Sequence, residues 1–154
     1  ANPDDRWLIR LAAETGIRRS ELARVHSEDV EFQSGGWWLR VVGKGDKTRM
    51  IPVSEPLAQW VSSSPTWCFP SPVRPGEHVI PSVLGKRLKR LLGRDARWTT
   101  HTVRHRFATV AYAHSGDLRA VQELLGHESV ATTQIYTKVA DERLRAVATF
   151  AQVA

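Results

Sequence analysis

The stretch His101-Thr-Val-Arg104-His105 gathers two imidazoles and a guanidinium within five residues. Positions i and i+3 share a helix face, so at the start of a helix His101 and Arg104 point together. A helix N-terminus favours anions and an Arg fork matches a phosphate, which makes this a phosphate clamp. His101 and His105 are also i, i+4, the spacing of a two-histidine zinc site. No Glu stands between them in the H-E-x-x-H arrangement and Cys68 is the sole thiol, which argues against metal. A plain basic surface helix is the third reading. Farther on, Gly126 ends one helix, Ser129 begins the next, and His127 sits at the corner, where it can project into a cleft. Tyr136 is either a packed tyrosine with a satisfied hydroxyl or a nucleophile, since Tyr forms covalent intermediates. Near the start, Arg18 follows a helix stop and Glu21 comes three residues later, placed to hold Arg18 or a neighbour. Lys44 stands at the tip of Gly43-Lys44-Gly45, either solvated or reaching inward.

Charge points to a partner for such a clamp. The chain is +6 overall, and residues 74–106 hold nine basic and two acidic side chains, a local +7 on a body of −1. A basic focus on a near-neutral body suits a polyanion, nucleic acid first; the alternative is a solvated helix face. Arg74, Lys86, Arg87, Lys89, Arg90 and Arg97 are the candidate phosphate contacts.

The elements that must position these residues follow from periodicity. Trp7, Leu8, Leu11 and Ala12 form a helical stripe within 5–14, stopped by Gly16. Ser20 is an N-cap candidate for a short second helix. Residues 29–33 and 37–42, split by Ser34-Gly35-Gly36, read as a hairpin. A Gly43–Asp46 turn leads into a third strand over TRMIPV. Residues 55–61 form a short helix opened by Pro56. Residues 62–80 carry four of the chain's eight prolines and form a long loop. Helices are expected near 82–93, 102–115, 118–125, 129–136 and 140–151, with Ser82, Thr102, Asp117, Ser129 and Asp141 as caps or first-turn acceptors. The fold class is mainly α with a small three-stranded antiparallel sheet (α+β). A length of 154 residues suits one domain with its own core. No apolar run is long enough to span a membrane, residues 1–10 lack a signal-peptide layout, and one cysteine excludes an intrachain disulfide.

In chain order, Thr15-Gly-x-Arg18-x-x-Glu21-Leu, Gly43-Lys44-Gly45, His101-x-x-Arg104-His105, Leu124-Leu-Gly-His127 and Thr133-x-x-Tyr136 resemble the catalytic domain of tyrosine recombinases, the phage integrase class. Residues 118–139 also resemble the bacterial recombinases that resolve chromosome dimers. The resemblance implies site-specific recombination, of the phage integration and excision type, through a 3′-phosphotyrosine intermediate. It implies Tyr136 as nucleophile, Arg18 and Arg104 clamping the scissile phosphate, and Lys44 as general acid for the leaving 5′ oxygen. His101 becomes the acid/base near the tyrosine hydroxyl, His127 a phosphate donor, and Glu21 a support for the arginine segment. Lys47 is a rival to Lys44; the Gly-Lys-Gly context favours Lys44. No metal or cofactor is implied, because cations on the protein stabilise the charge that builds on the phosphate.

The same resemblance implies double-stranded DNA as partner, accessory DNA-bending proteins, no membrane, and a cytoplasmic setting. Leu144, Val147, Ala148 and Ala151 form an apolar stripe in 141–154 that packs either on its own domain or on another protomer of a DNA-bound tetramer. Family members carry an N-terminal DNA-clasping domain, so residues 1–154 are expected to be a catalytic domain with that domain absent. Two other readings remain at this point. One is a type IB topoisomerase-like activity; the other is a non-enzymatic DNA-binding module using the 82–106 helices.

Overall fold

The computed structural model describes residues 2–93, 97–126 and 138–153. Helix α1 (Pro3–Thr15) opens where Asn2 accepts the Asp4 amide at 3.0 Å, with Pro3 in the first turn and Asp4 and Asp5 facing the positive end of the helix dipole. It stops at Gly16, whose φ of 62° suits glycine, and a Cβ there would lie 2.6 Å from the Phe107 ring. One glycine thus ends α1 and lets it meet α5. Helix α2 (Arg19–Ala23) starts two residues before expectation, because Arg18 and not Ser20 is the N-cap. Glu21 reaches back to the Arg18 amide at 2.7 Å, which leaves Ser20 inside the helix.

Strands β1 (Val30–Gln33), β2 (Gly36–Val42) and β3 (Thr48–Val53) form the expected antiparallel meander in the order β1-β2-β3. Gln33 pairs with Gly36, so the first turn is Ser34-Gly35 alone, both at positive φ (47° and 75°), and Gly36 belongs to the strand. The second turn is closed by the Gly43 amide on the Lys47 carbonyl at 2.7 Å, with Lys44 at its start.

Helix α3 (Glu55–Ser63) follows, and Trp60 stacks on Trp7 of α1 at 5.4 Å. The proline-rich segment after it is tied down rather than loose. The Cys68 amide bonds to Val25, the Val79 amide bonds to Phe69, and both Cys68 and Phe69 are buried. Burial pushes the Cys68 thiol up to about 12. Helix α4 (Pro81–Leu91) starts on Pro81 behind Ile80, which puts Ser82 in its first turn.

Helix α5 (Thr100–Ser115) opens on a reciprocal Thr99–Thr102 box, the Thr99 amide donating to Thr102 Oγ1 at 2.7 Å. Asp117 caps α6 (Leu118–Leu125) by accepting the Ala120 amide at 3.0 Å, and Gly126 ends it at φ 73°. The expected helix 129–136, with Ser129, lies outside the described residues. Asp141 falls inside α7 (Lys138–Val153).

Leu8 and Leu11 of α1, Leu22, Leu39, Ile51, Leu57, Leu84, Leu88 and Phe107 share one core. α1 lies in the middle, in contact with α3, α4, α5, α7 and β3. This arrangement carries the ends of α2, α5 and α6 and the β2–β3 turn to one region.

Candidate active site

Glu21 sits at the centre of that region. It is 3% exposed, and a lone buried carboxylate would cost several kcal/mol. The cost is offset on all sides. Arg49 of β3 donates through Nη1 to Oε1 at 2.8 Å and through Nη2 to Oε2 at 3.0 Å. Arg18 adds its amide at 2.7 Å and Nη1 at 3.2 Å. Burial pushes the Glu21 carboxyl up, but the hydrogen bonds and charges of Arg49 and then Arg18 outweigh it and hold it below the usual carboxylate value. Arg18 itself is exposed at the mouth of the cluster.

Arg104 enters from α5. Its Nη1 donates to the Gly16 carbonyl and its Nη2 to the Leu125 carbonyl, both at 2.8 Å. A guanidinium has five N–H groups, so these two bonds orient the fork without exhausting it. Burial, with the positive fields of Arg18 and Arg49, pulls Arg104 down to about 10, and Glu21 opposes the drop. It stays protonated at neutral pH. Among the described residues, three guanidiniums against one carboxylate give the cluster two positive charges in excess. A surface of this kind, built from fixed donors, suits a phosphate.

The Lys44 turn begins against this cluster: a Cβ on Gly43 would lie 3.2 Å from Glu21 Oε1. Lys44 and Lys47 are both exposed on it. His101 is exposed in the first turn of α5, one turn before Arg104. His127 and Tyr136 lie outside the described residues. Among the described residues no three of His, Cys, Asp and Glu group as a metal site. Cavities of about 530 and 410 Å³ lie on another face of α5, around Trp98 and Arg106, and none of the cluster arginines lines them.

The basic run does not act as one surface. Lys86, Lys89 and Arg90 lie exposed on the outer side of α4, and Arg97 is exposed beyond it. Arg87 departs from expectation. It turns inward beside buried Leu88 and donates through Nε to Asp5 Oδ1 at 2.7 Å, tying α4 to α1. Arg74 pairs with Glu77 at 3.4 Å, both well exposed, an interaction worth about 1 kcal/mol at most.

Arg49 is the residue that the motifs did not single out. Its signal was present: it falls in phase with Ile51 and Val53, the buried side of β3, where a charge needs a partner.

The tail takes the first of its two expected places. Leu144, Val147, Ala148 and Ala151 are buried on the chain's own domain, against α1, α5, α6 and β3. Burying Leu144 and Val147 alone is worth ~3–6 kcal/mol before ordering costs. Arg143 forks onto the Asp117 carboxylate, and Arg145 donates to the Trp37 carbonyl at 3.0 Å while lying over the Trp38 ring. The stripe is therefore no open docking surface in this conformation.

The chain is similar to known proteins over most of its length. Residues 2–143 match the phage integrase family. The tyrosine recombinase XerD of Proteus mirabilis is 35% identical over 156 residues, covering 92% of this chain and 49% of that protein. The integrase of mycobacterium phage Brujita superposes with a TM-score of 0.78 at 28% identity, over 97% of this chain and 52% of that one. The XerH recombinase in its post-cleavage complex with palindromic difH substrate gives a TM-score of 0.67 at 28% identity, over 94% of this chain and 45% of that one. The chain spans about half the length of the curated relatives it matches. A match that takes in α1 through α6, with the arginine cluster they build, makes this chain a member of the phage integrase family.

Proposed function

We propose that residues 1–154 form the catalytic domain of a site-specific tyrosine recombinase that cleaves and rejoins DNA through a 3′-phosphotyrosine link. The observation that carries this is the Arg18–Glu21–Arg49–Arg104 cluster, in which three guanidiniums meet one carboxylate among the described residues. Attack on a phosphodiester builds negative charge on the nonbridging oxygens, and Arg18 and Arg104 supply fixed donors for it. Tyr136 attacks the phosphorus, its proton passes to His101, and His127 adds a donor. Lys44 protonates the departing 5′ oxygen as the P–O bond breaks. The ester is exchanged rather than hydrolysed, so a 5′-hydroxyl from another strand reverses the step and rejoins DNA without ATP.

Double-stranded DNA is the substrate, met by Lys86, Lys89 and Arg90 as phosphate contacts, with Arg74 and Arg97 at the margins. Four protomers assemble on paired sites with DNA-bending partners, and α7 must leave its own domain if it is to dock on a neighbour. Action on phage or chromosomal DNA places the reaction in the bacterial cytoplasm.

The test is adduct trapping on a pool of nicked duplexes of randomised sequence, followed by mapping of the attached residue. The parent chain forms a covalent adduct at Tyr136, and Tyr136→Phe forms none while DNA binding stays within about a few-fold, since no charge is lost. An adduct mapped to Tyr112, or one that persists in the variant, overturns the assignment. Strand exchange between cognate sites, as against relaxation of any supercoil, separates this reading from a type IB topoisomerase.

A further inference from the structure

Arg49 has no role in the reaction as set out above, yet the site-bearing segments converge on it. Its side chain is 12% exposed, so it does not face a bound duplex. Its fork spans the Glu21 carboxylate, which in turn holds the Arg18 amide and guanidinium. Its Nε points the other way, to the Leu124 carbonyl at 2.8 Å. The next carbonyl, Leu125, is taken by Arg104. The last four carbonyls of a helix lack helical partners, and here two consecutive ones at the end of α6 are held by two arginines from different elements.

Two glycines mark how closely the backbone is drawn in. A Cβ on Gly126 would lie 2.9 Å from Arg49 Nη1 and 3.1 Å from its Cδ. A Cβ on Gly43, where the Lys44 turn begins, would lie 3.2 Å from Glu21 Oε1 and 3.6 Å from Arg49 Nη1. Arg49 is thus one link from Arg18, Arg104 and the Lys44 turn. As a source of net stability such a pair is a poor choice, since apolar replacements of buried ion pairs are often neutral or better. What a planar fork with three committed donors supplies is fixed geometry.

We propose that Arg49 is a positioning residue for strand cleavage: without touching the phosphate, it holds Arg18, Arg104 and the Lys44 turn in register through Glu21 and the end of α6. This rests on the phosphotyrosine reading above. Lysine keeps the charge but cannot span both Glu21 oxygens and the Leu124 carbonyl.

The experiment is a double-mutant cycle of Arg49→Lys with Arg18→Ala, using single-turnover adduct formation on a nicked duplex recovered from the pool, with DNA affinity and thermal melts beside it. Arg49→Lys should melt close to the parent, bind DNA with unchanged affinity, and form adduct on the order of 10-fold more slowly, a misplacement effect. In the Arg18→Ala background the same change should cost clearly less than it does alone, because the part of the loss that runs through Arg18 is already taken. The full loss repeated in that background, an unchanged adduct rate, or a loss seen only in DNA affinity overturns the proposal. If Arg49→Lys does not fold, Glu21→Gln takes its place in the cycle with the same expectation; if neither folds, Arg49 is a folding brace and the proposal falls. A parent chain that forms no adduct at all sinks the phosphotyrosine reading instead, which separates the two failures.

Discussion

Two sets of basic side chains lie close in this fold and differ in almost every physical respect. Arg18, Arg49 and Arg104 are drawn around one buried carboxylate and three backbone carbonyls, with every bond between 2.7 and 3.2 Å. Lys86, Lys89 and Arg90 stand exposed on α4. In the first set Arg49 and Arg104 have lost most of their water while Arg18 keeps part of its own, and all three have gained fixed partners, so their donors are oriented in advance. The second keeps its water and its rotamer freedom, so it attracts a polyanion from a distance and is screened by salt. Burial turns charge into geometry; exposure leaves it as affinity.

The largest effect should come from breaking the buried set. Arg104→Ala is expected to slow single-turnover adduct formation roughly 10²–10³-fold, and Arg104→Lys to fail similarly, because lysine keeps the charge but lacks the fork. Near-normal rates in either variant would mean that orientation at this position is not what the reaction needs.

Removing Lys86, Lys89 and Arg90 together should act on binding instead. The slope of log affinity against log salt should shrink by about 0.9 for each phosphate no longer neutralised, while the adduct rate at saturating DNA stays near that of the parent. A triple variant with an unchanged salt slope and slow chemistry would erase the distinction between the two sets.

A smaller effect sharpens the comparison through pH. Glu21 is held below its ordinary value of 4.5 in the folded chain, burial being outweighed by Arg49 and Arg18. Its contribution to stability is therefore present above that value and lost as pH falls through the folded value. Thermal melts taken from neutral pH down through the carboxylate range should show an acid limb that Glu21→Gln flattens and the α4 triple variant leaves alone. An identical limb in Glu21→Gln would show that the carboxylate is not the group being held.

The smallest expected effect is none. EDTA should leave adduct formation unchanged, since arginines take the place of a metal in the proposed step. Activity lost in chelator and restored by Mg²⁺ or Zn²⁺ would overturn that step.

Much of this was legible in the sequence because it depends on near neighbours. The α1 stripe and its Gly16 stop, the three-stranded meander and the Asp117 cap all lie within a few residues of what controls them. The same locality explains the small misses. Ser20 is a sound N-cap by type, but Glu21 three residues after Arg18 closes a better box. Pro81 starts α4 one residue before Ser82 because its ring suits a first turn.

The partner of a long side chain is another matter. Arg49 reaches Glu21 across 28 residues and Leu124 across 75, Arg104 reaches Gly16 across 88, and Arg87 reaches Asp5 across 82. In a charge count these arginines equal Lys86 or Arg90, so composition set Arg87 among the DNA contacts and passed over Arg49. Likewise the stripe of α7 announced that it needed a cover without saying which. By itself the sequence determined the described elements, their order and the family, since periodicity, capping and motif spacing are local. Which cation is buried to aim at a phosphate, which ties two helices together, and which surface covers the tail were decided only when distant segments packed, because desolvation and hydrogen-bond geometry exist only once that packing is made.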